Sequence, residues 1–288
     1  MVADAAKLSA LVEHLSGLES VLVCYSGGVD SAVVLAAAHR ALGARAIGMT
    51  AVSPSLAPSE LDDARWVAAQ IGADHRLVDS NEIDDPSYQR NDPDRCFHCK
   101  SELYRIAERK RAEWGLLQVV NGTNVDDLGD YRPGLKAADA AGVQSPFVVL
   151  GYTKADVRAC ARALGLEIWD KPAAACLSSR LPFGTRVTRE RLARIGGLEA
   201  SIRALGFRRV RVRYHPLGAE ASPGEQAIAR IELDEADLAR AATADAREAI
   251  VAAGKEHGFL YVTLDLAGYR VGSHNEALKP SRSLPLVR

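Results

Sequence analysis

The strongest constraint in this sequence is a hydrophobic run that breaks at two glycines and restarts as a helix. Residues 21–35 read VLVCYSGGVDSAVVL. The β-branched start suits a buried strand, and the stretch from Val29 suits the first turns of a helix. A strand, a glycine turn and a helix N-terminus together make an anion site. The first-turn N–H groups lack intrahelical partners, and the helix dipole favours negative charge there. Gly27 and Gly28 let a bulky anion approach the backbone, and Ser26 and Ser31 add hydroxyl donors. Asp30 is out of place beside an anion unless it caps N–H groups or holds Mg²⁺ against phosphates. An isolated SGG reads as an ordinary serine-capped corner; the full SGGVDS after a hydrophobic strand points to phosphate binding.

The stretch is neither a Walker loop nor a GxGxxG dinucleotide loop. It resembles the PP-loop of the ATP pyrophosphatases, which cleave ATP between its α- and β-phosphates and adenylate a substrate. The order of elements agrees with such an α/β domain. Residues 44–51 read as a second strand, 59–71 as a serine-capped helix and 75–78 as a third strand. Residues 101–114 read as a helix, 115–122 and 145–150 as a fourth and fifth strand, and 154–164 as a helix. Alternating strands and helices with short links predict a parallel sheet. Ligands bind at the carboxyl ends of such strands. Asn121-Gly122-Thr123-Asn124-Val125-Asp126-Asp127 ends the fourth one. There Asp126, Asp127 and Asp130 are candidates for a metal or a ribose, and Arg132 for a phosphate.

Pro182 and Gly184 break the pattern, placing a boundary between a PP-loop domain of residues 1–180 and a smaller α+β domain of residues 181–288. The second domain reads as a helix over 190–205, strands over 208–215, 227–233 and 259–266, and a helix over 235–253. Arg209, Arg211 and Arg213 alternate onto one face of its first strand. They read equally as the solvated face of an edge strand or as an anion pocket, because like charges two residues apart repel unless something negative covers them.

The chain has 288 residues, a formal net charge of −1 and 25% charged residues, so nothing global points to nucleic acid or an anionic membrane. No apolar run approaches the ~20 residues of a membrane span. The N-terminal stretch carries Asp4, Glu13 and Glu19 and reads as an amphipathic helix, not a signal peptide. A cytoplasmic enzyme is expected. Five cysteines, an odd number, argue against a disulfide framework. Cys24 and Cys160 fall in apolar patterns and read as packing residues. Cys96-Phe97-His98-Cys99 is open to three readings: a redox pair, half a zinc site or part of an iron–sulfur site. Cys176 follows three alanines and precedes Ser178-Ser179-Arg180, where small neighbours leave room and Arg180 favours the thiolate. It is a candidate nucleophile toward an adenylated carboxylate.

SGGVDS, RCxxCK, GTNxDD with DxRPG, PAxxCLxSR and the final GYRxGSxN together resemble the LarE family over nearly the whole chain. The resemblance implies an ATP-dependent sulfur-inserting enzyme that acts on pyridinium-3,5-biscarboxylic acid mononucleotide in nickel-pincer nucleotide biosynthesis. It implies that Ser26, Gly27, Gly28, Asp30 and Ser31 cradle the ATP phosphates and Mg²⁺, with Lys100, Asp127 and Arg132 lining the nucleotide site. It implies that Ser179, Arg180, Arg211 and Arg213 hold the substrate phosphate, with Glu190 and Glu232 contributing to a metal site. Family members take sulfur either from one sacrificed cysteine, here Cys176, or from a 4Fe-4S cluster held by three cysteines, here Cys96, Cys99 and Cys176. With all three thiols present, the cluster type is expected, as are homo-oligomers and no membrane or nucleic-acid partner. The competing functions are a tRNA thiolase, an amide-forming synthetase of the NAD or GMP type, and a non-enzymatic redox or metal sensor.

Overall fold

The computed structural model describes residues 2–129, 133–172, 174–218 and 224–270. The chain divides into two compact units, Met1–Ala175 and Cys176–Arg288, a little earlier than the residue 180 expected from the sequence. Each is described by itself.

The first unit runs α1 (Val2–Ser16), β1 (Val21–Cys24), α2 (Val29–Leu42), β2 (Ala46–Val52), α3 (Pro58–Ile71), β3 (Asp74–Asp79), α4 (Pro86–Gln89), α5 (Arg95–Glu113), β4 (Gln118–Val120), α6 (Pro133–Ala140), α7 (Pro146–Val149) and α8 (Lys154–Ala163). Its four strands pair in parallel in the order β3-β2-β1-β4. The interior place of β1 explains its unbroken apolar run, since both faces are covered. Val21 and Val23 join a core with Leu11, Leu15, Val33, Ala37 and Val157. Leu22 points the other way, toward Ile47, Met49 and Ile106. Removing one such buried side chain to alanine costs about 2–5 kcal/mol.

Three expectations change here. Residues 145–150 do not form a strand. Pro146 starts the single-turn helix α7, and the sheet contact beside it is one bridge, Val120 with Gln144. Pro146 has no N–H to give a ladder. The helix expected from residue 101 starts at Arg95, so Cys96 and Cys99 lie in its first turns. The residue before α3 is Ala57, not a serine cap, with Pro58 in the first helical turn.

The second unit contains α9 (Arg189–Ala204), β5 (Val210–Leu217), β6 (Gln226–Leu233), α10 (Glu235–Ala241), α11 (Ala244–Glu256) and β7 (Tyr261–Leu264). β5 pairs antiparallel with β6, and β6 parallel with β7. The single helix expected over 235–253 is two, α10 and α11. Leu192, Ile195, Leu198 and Ile202 of α9 are fully buried, as are Val212, Tyr214 and Ile231 of the sheet to within 1%. Among the described residues no helix is long and apolar enough to cross a membrane.

Candidate functional site

The corner after β1 is held by bonds to β2 and α3 and by bonds within the loop itself. Tyr25 N donates to Met49 O at 2.9 Å, Thr50 Oγ1 donates to Tyr25 O at 2.8 Å, and Tyr25 Oη donates to Ala64 O at 3.0 Å. Ser26 N donates to Ser31 Oγ at 3.1 Å, and Ser31 Oγ donates to Gly28 O at 3.1 Å. The serine hydroxyls therefore knit the loop together. Gly27 takes φ +73°, and a Cβ on it would lie 2.8 Å from Ala64 Cα; both conditions select glycine. No side chain caps α2 at Gly28, which leaves its first-turn N–H groups to an anion.

Asp30 caps nothing. Its carboxylate accepts from Asn124 Nδ2 at 3.2 Å and from Lys154 Nζ at 2.5 Å. Lys154 is the first residue of α8, and no sequence motif singles it out. The loop after β4 lies directly on α2, where a Cβ on Gly122 would come within 2.8 Å of Ser31 N. Asp126 and Asp127 hold backbone in this loop. Asp126 Oδ2 accepts from Lys154 N at 2.8 Å, and Asp127 Oδ2 from Asn124 N at 3.1 Å. Asp130 and Arg132 lie outside the described residues.

Lys100, on α5, is wedged beside Gly134, where a Cβ would meet its Cγ at 2.8 Å. Burial opposes the Lys100 charge, but Tyr104 and the thiols of Cys99, Cys24 and Cys96 outweigh it and hold its pKa above the ordinary value. Burial pushes the Cys24 thiol up to about 12, against the pull of Lys100, so Cys24 is a protonated packing residue. Cys96 is exposed and Cys99 half-buried, three residues apart on α5. Their chemistry and spacing fit two ligands of an iron–sulfur cluster. Cys176 belongs to the second unit. Among the described residues no group of three or more His, Cys, Asp or Glu side chains is placed to hold a metal ion.

In the second unit Cys176 precedes the short turn Leu177–Arg180. Its carbonyl accepts from Ser179 N at 3.0 Å, Ser179 Oγ at 2.8 Å and Arg180 Nη1 at 3.0 Å. The Ser179 carbonyl accepts from Arg213 Nη1 at 2.8 Å. Each arginine also grips a glutamate that is fully buried. Arg180 Nε and Nη2 donate to Glu199 at 2.8 and 3.2 Å. Arg213 Nε and Nη2 donate to Glu232 at 3.0 and 2.9 Å. Glu199 further accepts from Arg203 at 3.1 Å and Val212 N at 3.0 Å.

Arg211 differs. It is 8% exposed, yet among the described residues its side chain makes no hydrogen bond or ion pair. Its guanidinium lies 4.3 Å from the Tyr269 ring centroid. Burial lowers its pKa, Tyr269 opposes that, and the charges of Arg180 and Arg213 add to it. A buried guanidinium without a carboxylate is unfavourable until an anion arrives. Of the four residues expected to hold phosphate, Arg211 has uncommitted charge, while Ser179, Arg180 and Arg213 brace the Cys176 turn. Glu232 accepts from Arg213 and Arg230, and Glu190 is exposed at the start of α9.

The asparagine synthase family model matches residues 5–90. An uncharacterized protein of Synechocystis is 43% identical over 272 residues, covering 94% of this chain and 98% of that protein. The pyridinium-3,5-bisthiocarboxylic acid mononucleotide synthase of Lactiplantibacillus plantarum is 36% identical over 279 residues, covering 96% of this chain and 97% of that protein. The tRNA-specific 2-thiouridylase of Rickettsia felis is 30% identical over 193 residues, covering about half of each (53% and 52%).

Proposed function

Because the chain belongs to the LarE family of ATP-using PP-loop sulfur transferases, we propose that it converts pyridinium-3,5-biscarboxylic acid mononucleotide into its thiocarboxylate. ATP binds at the α2 N-terminus, where Asp30 would hold a Mg²⁺ ion that would offset the phosphate charge. A substrate carboxylate oxygen attacks the α-phosphorus, the bond to the β-phosphate oxygen breaks, and pyrophosphate leaves with the electron pair. A sulfur nucleophile adds to the resulting acyl carbon, and the C–O bond to AMP breaks. Arg211 holds the substrate phosphate, as a charge-assisted contact. Two rounds give the bis-thiocarboxylate.

Cys176 carries the sulfur chemistry. Supporting this is the turn it begins: a half-buried thiol whose own carbonyl is held by Ser179 and Arg180, and whose turn is tied by Arg213 to the strand that carries Arg211. A 4Fe-4S cluster on Cys96, Cys99 and Cys176 would supply an exchangeable sulfide. Without it, the Cys176 Cβ–Sγ bond breaks as the α-proton is lost, leaving dehydroalanine. The protein acts in the cytoplasm as a homo-oligomer.

Anaerobically purified protein, incubated with Mg-ATP and the dicarboxylate, should release pyrophosphate and form a thiocarboxylate by mass spectrometry. No pyrophosphate release would overturn the proposal. Iron and acid-labile sulfide in the purified chain would support the cluster; loss of H₂S mass from the chain after one turnover would support sacrifice. The thiouridylase similarity makes tRNA the competing substrate, and thiolation of tRNA in place of the dicarboxylate would establish it.

A further inference from the structure

We infer that Lys171 is a positioning residue for sulfur transfer: held by Glu60 and Asp63 of α3, it anchors the chain five residues before Cys176. The inference rests on the proposed function and adds the residue that decides whether sulfur or water takes the acyl adenylate.

Lys171 Nζ donates to Glu60 Oε2 at 2.9 Å and to Asp63 Oδ2 at 2.7 Å. The two carboxylates stand three residues apart on α3, and so share one face of it. The lysine side chain is 16% exposed. Burial opposes its charge, but Asp63 and Glu60 outweigh burial and hold its pKa above the ordinary value. A half-buried ammonium gripped twice is a firmer link than an exposed surface pair. The backbone is fixed as well. Lys171 N donates to Ile168 O at 2.9 Å, and Ile168 packs against the core formed by β1 and α2.

The phosphate corner leans on the same helix. Tyr25 Oη donates to the carbonyl of Ala64, and a Cβ on Gly27 would strike that residue. Asp63 immediately precedes Ala64. One helix therefore bears both the loop offered to ATP and the anchor of the segment that leads to Cys176. Five residues of extended chain reach at most about 18 Å, so an anchored Lys171 limits the volume through which the thiol moves. Confinement raises the effective concentration of a nucleophile. The rival nucleophile is water. Its oxygen adds to the acyl carbon, its proton passes to solvent, and the C–O bond to AMP breaks, which returns the dicarboxylate and wastes the ATP. Loss of the anchor favours that outcome.

The test measures thiocarboxylate formed per pyrophosphate released in single-turnover mixtures of full-length protein, Mg-ATP and dicarboxylate. Lys171→Met should lower this ratio about threefold to tenfold, the range for loss of a charged contact. Lys171→Arg should restore it. The Glu60→Gln, Asp63→Asn double variant should lower it likewise, and serves should the methionine variant fail to fold. Hydrogen exchange without nucleotide gives a second readout: the amides of residues 174–178 should exchange faster in Lys171→Met than in the wild type. A merely structural role would lower pyrophosphate and thiocarboxylate together at constant ratio, and that result overturns the inference. An unchanged ratio or unchanged exchange overturns it too. A wild type that releases no pyrophosphate would instead overturn the proposed function, and the exchange comparison would still decide whether Lys171 holds the segment.

Discussion

Gly122 and Ser31 meet with no room between them: a Cβ on Gly122 would lie 2.8 Å from the Ser31 amide nitrogen. The loop after β4 thus seats its main chain on the first turn of α2, and a side chain there must push the phosphate corner aside. Gly122→Ala should cost about 1–3 kcal/mol, the range for overpacking, and should raise the KM for ATP. Gly129, on the same loop, has open space within 4 Å of where a methyl group would sit, so Gly129→Ala is the control. Equal melting temperatures and equal KM values for the two variants would sink this account.

Removing the Cys176 sulfur should separate the two halves of the reaction. Cys176→Ala should keep pyrophosphate release near the wild-type rate and form no thiocarboxylate. Among the described residues the sulfur makes no hydrogen bond, so stability should change by less than about 0.5 kcal/mol. Thiocarboxylate formed by the alanine variant would remove Cys176 from the mechanism.

Glu199 is the hub beneath the same turn, with Arg180, Arg203 and the Val212 amide donating to it. Glu199→Ala removes the carboxylate that the 5%-exposed Arg180 donates to and should destabilise the chain by about 3–5 kcal/mol. Glu190→Ala, at an exposed position on the same helix, should stay within about 0.5 kcal/mol. Denaturant melts of the two variants check this, and equal midpoints would contradict it.

Arg211→Ala should weaken binding of the substrate mononucleotide by about tenfold or more, the effect of one charged contact, with pyrophosphate release recovering at saturating substrate. It should not destabilise the fold as Glu199→Ala does, since no buried carboxylate is orphaned. A KM unchanged from wild type would show that the phosphate binds elsewhere.

Two histidines make stability depend on pH. Burial, with Arg65, holds His75 below its ordinary value of 6.5. Burial, with Arg230 and Arg213, does the same for His215, whose Nε2 accepts from Arg230 Nε at 3.1 Å. Near pH 6.5 the unfolded chain takes up protons that the folded chain refuses. The stabilisation is therefore complete above that pH and is lost as pH falls through the depressed folded values. Melting temperature should decline from pH 7 toward pH 5, and a His75→Asn, His215→Asn double variant should decline less steeply. Parallel curves would rule these two histidines out as the cause.

The phosphate corner is legible in the sequence because β1 is covered on both faces, which demands a continuous apolar run, and because Gly27 and Gly28 stand where that run stops. The arginine row is legible in position but not in role, since alternation alone does not reveal that Glu199 and Glu232 neutralise Arg180 and Arg213 while Arg211 keeps its charge. Glu199 leaves a faint trace: it falls four residues after Ile195 and three before Ile202, on the buried face of α9, where a carboxylate needs a partner. Lys154 leaves none, because its partner Asp30 is 124 residues away. Residues 145–150 mislead because Phe147, Val148 and Val149 favour strands, whereas Pro146 denies the ladder a donor. The CxxC reads as preceding its helix because Pro93 and its polar neighbours look like loop, yet α5 begins two residues later at Arg95.

The three bonds on the Cys176 carbonyl all come from amide, hydroxyl and guanidinium groups, and none involves the thiol. Architecture and reactivity are thus uncoupled at this residue. If turnover consumes the sulfur, these three bonds do not depend on it, so a spent copy should keep the turn's hydrogen bonds and would have to be told apart by the missing atom itself.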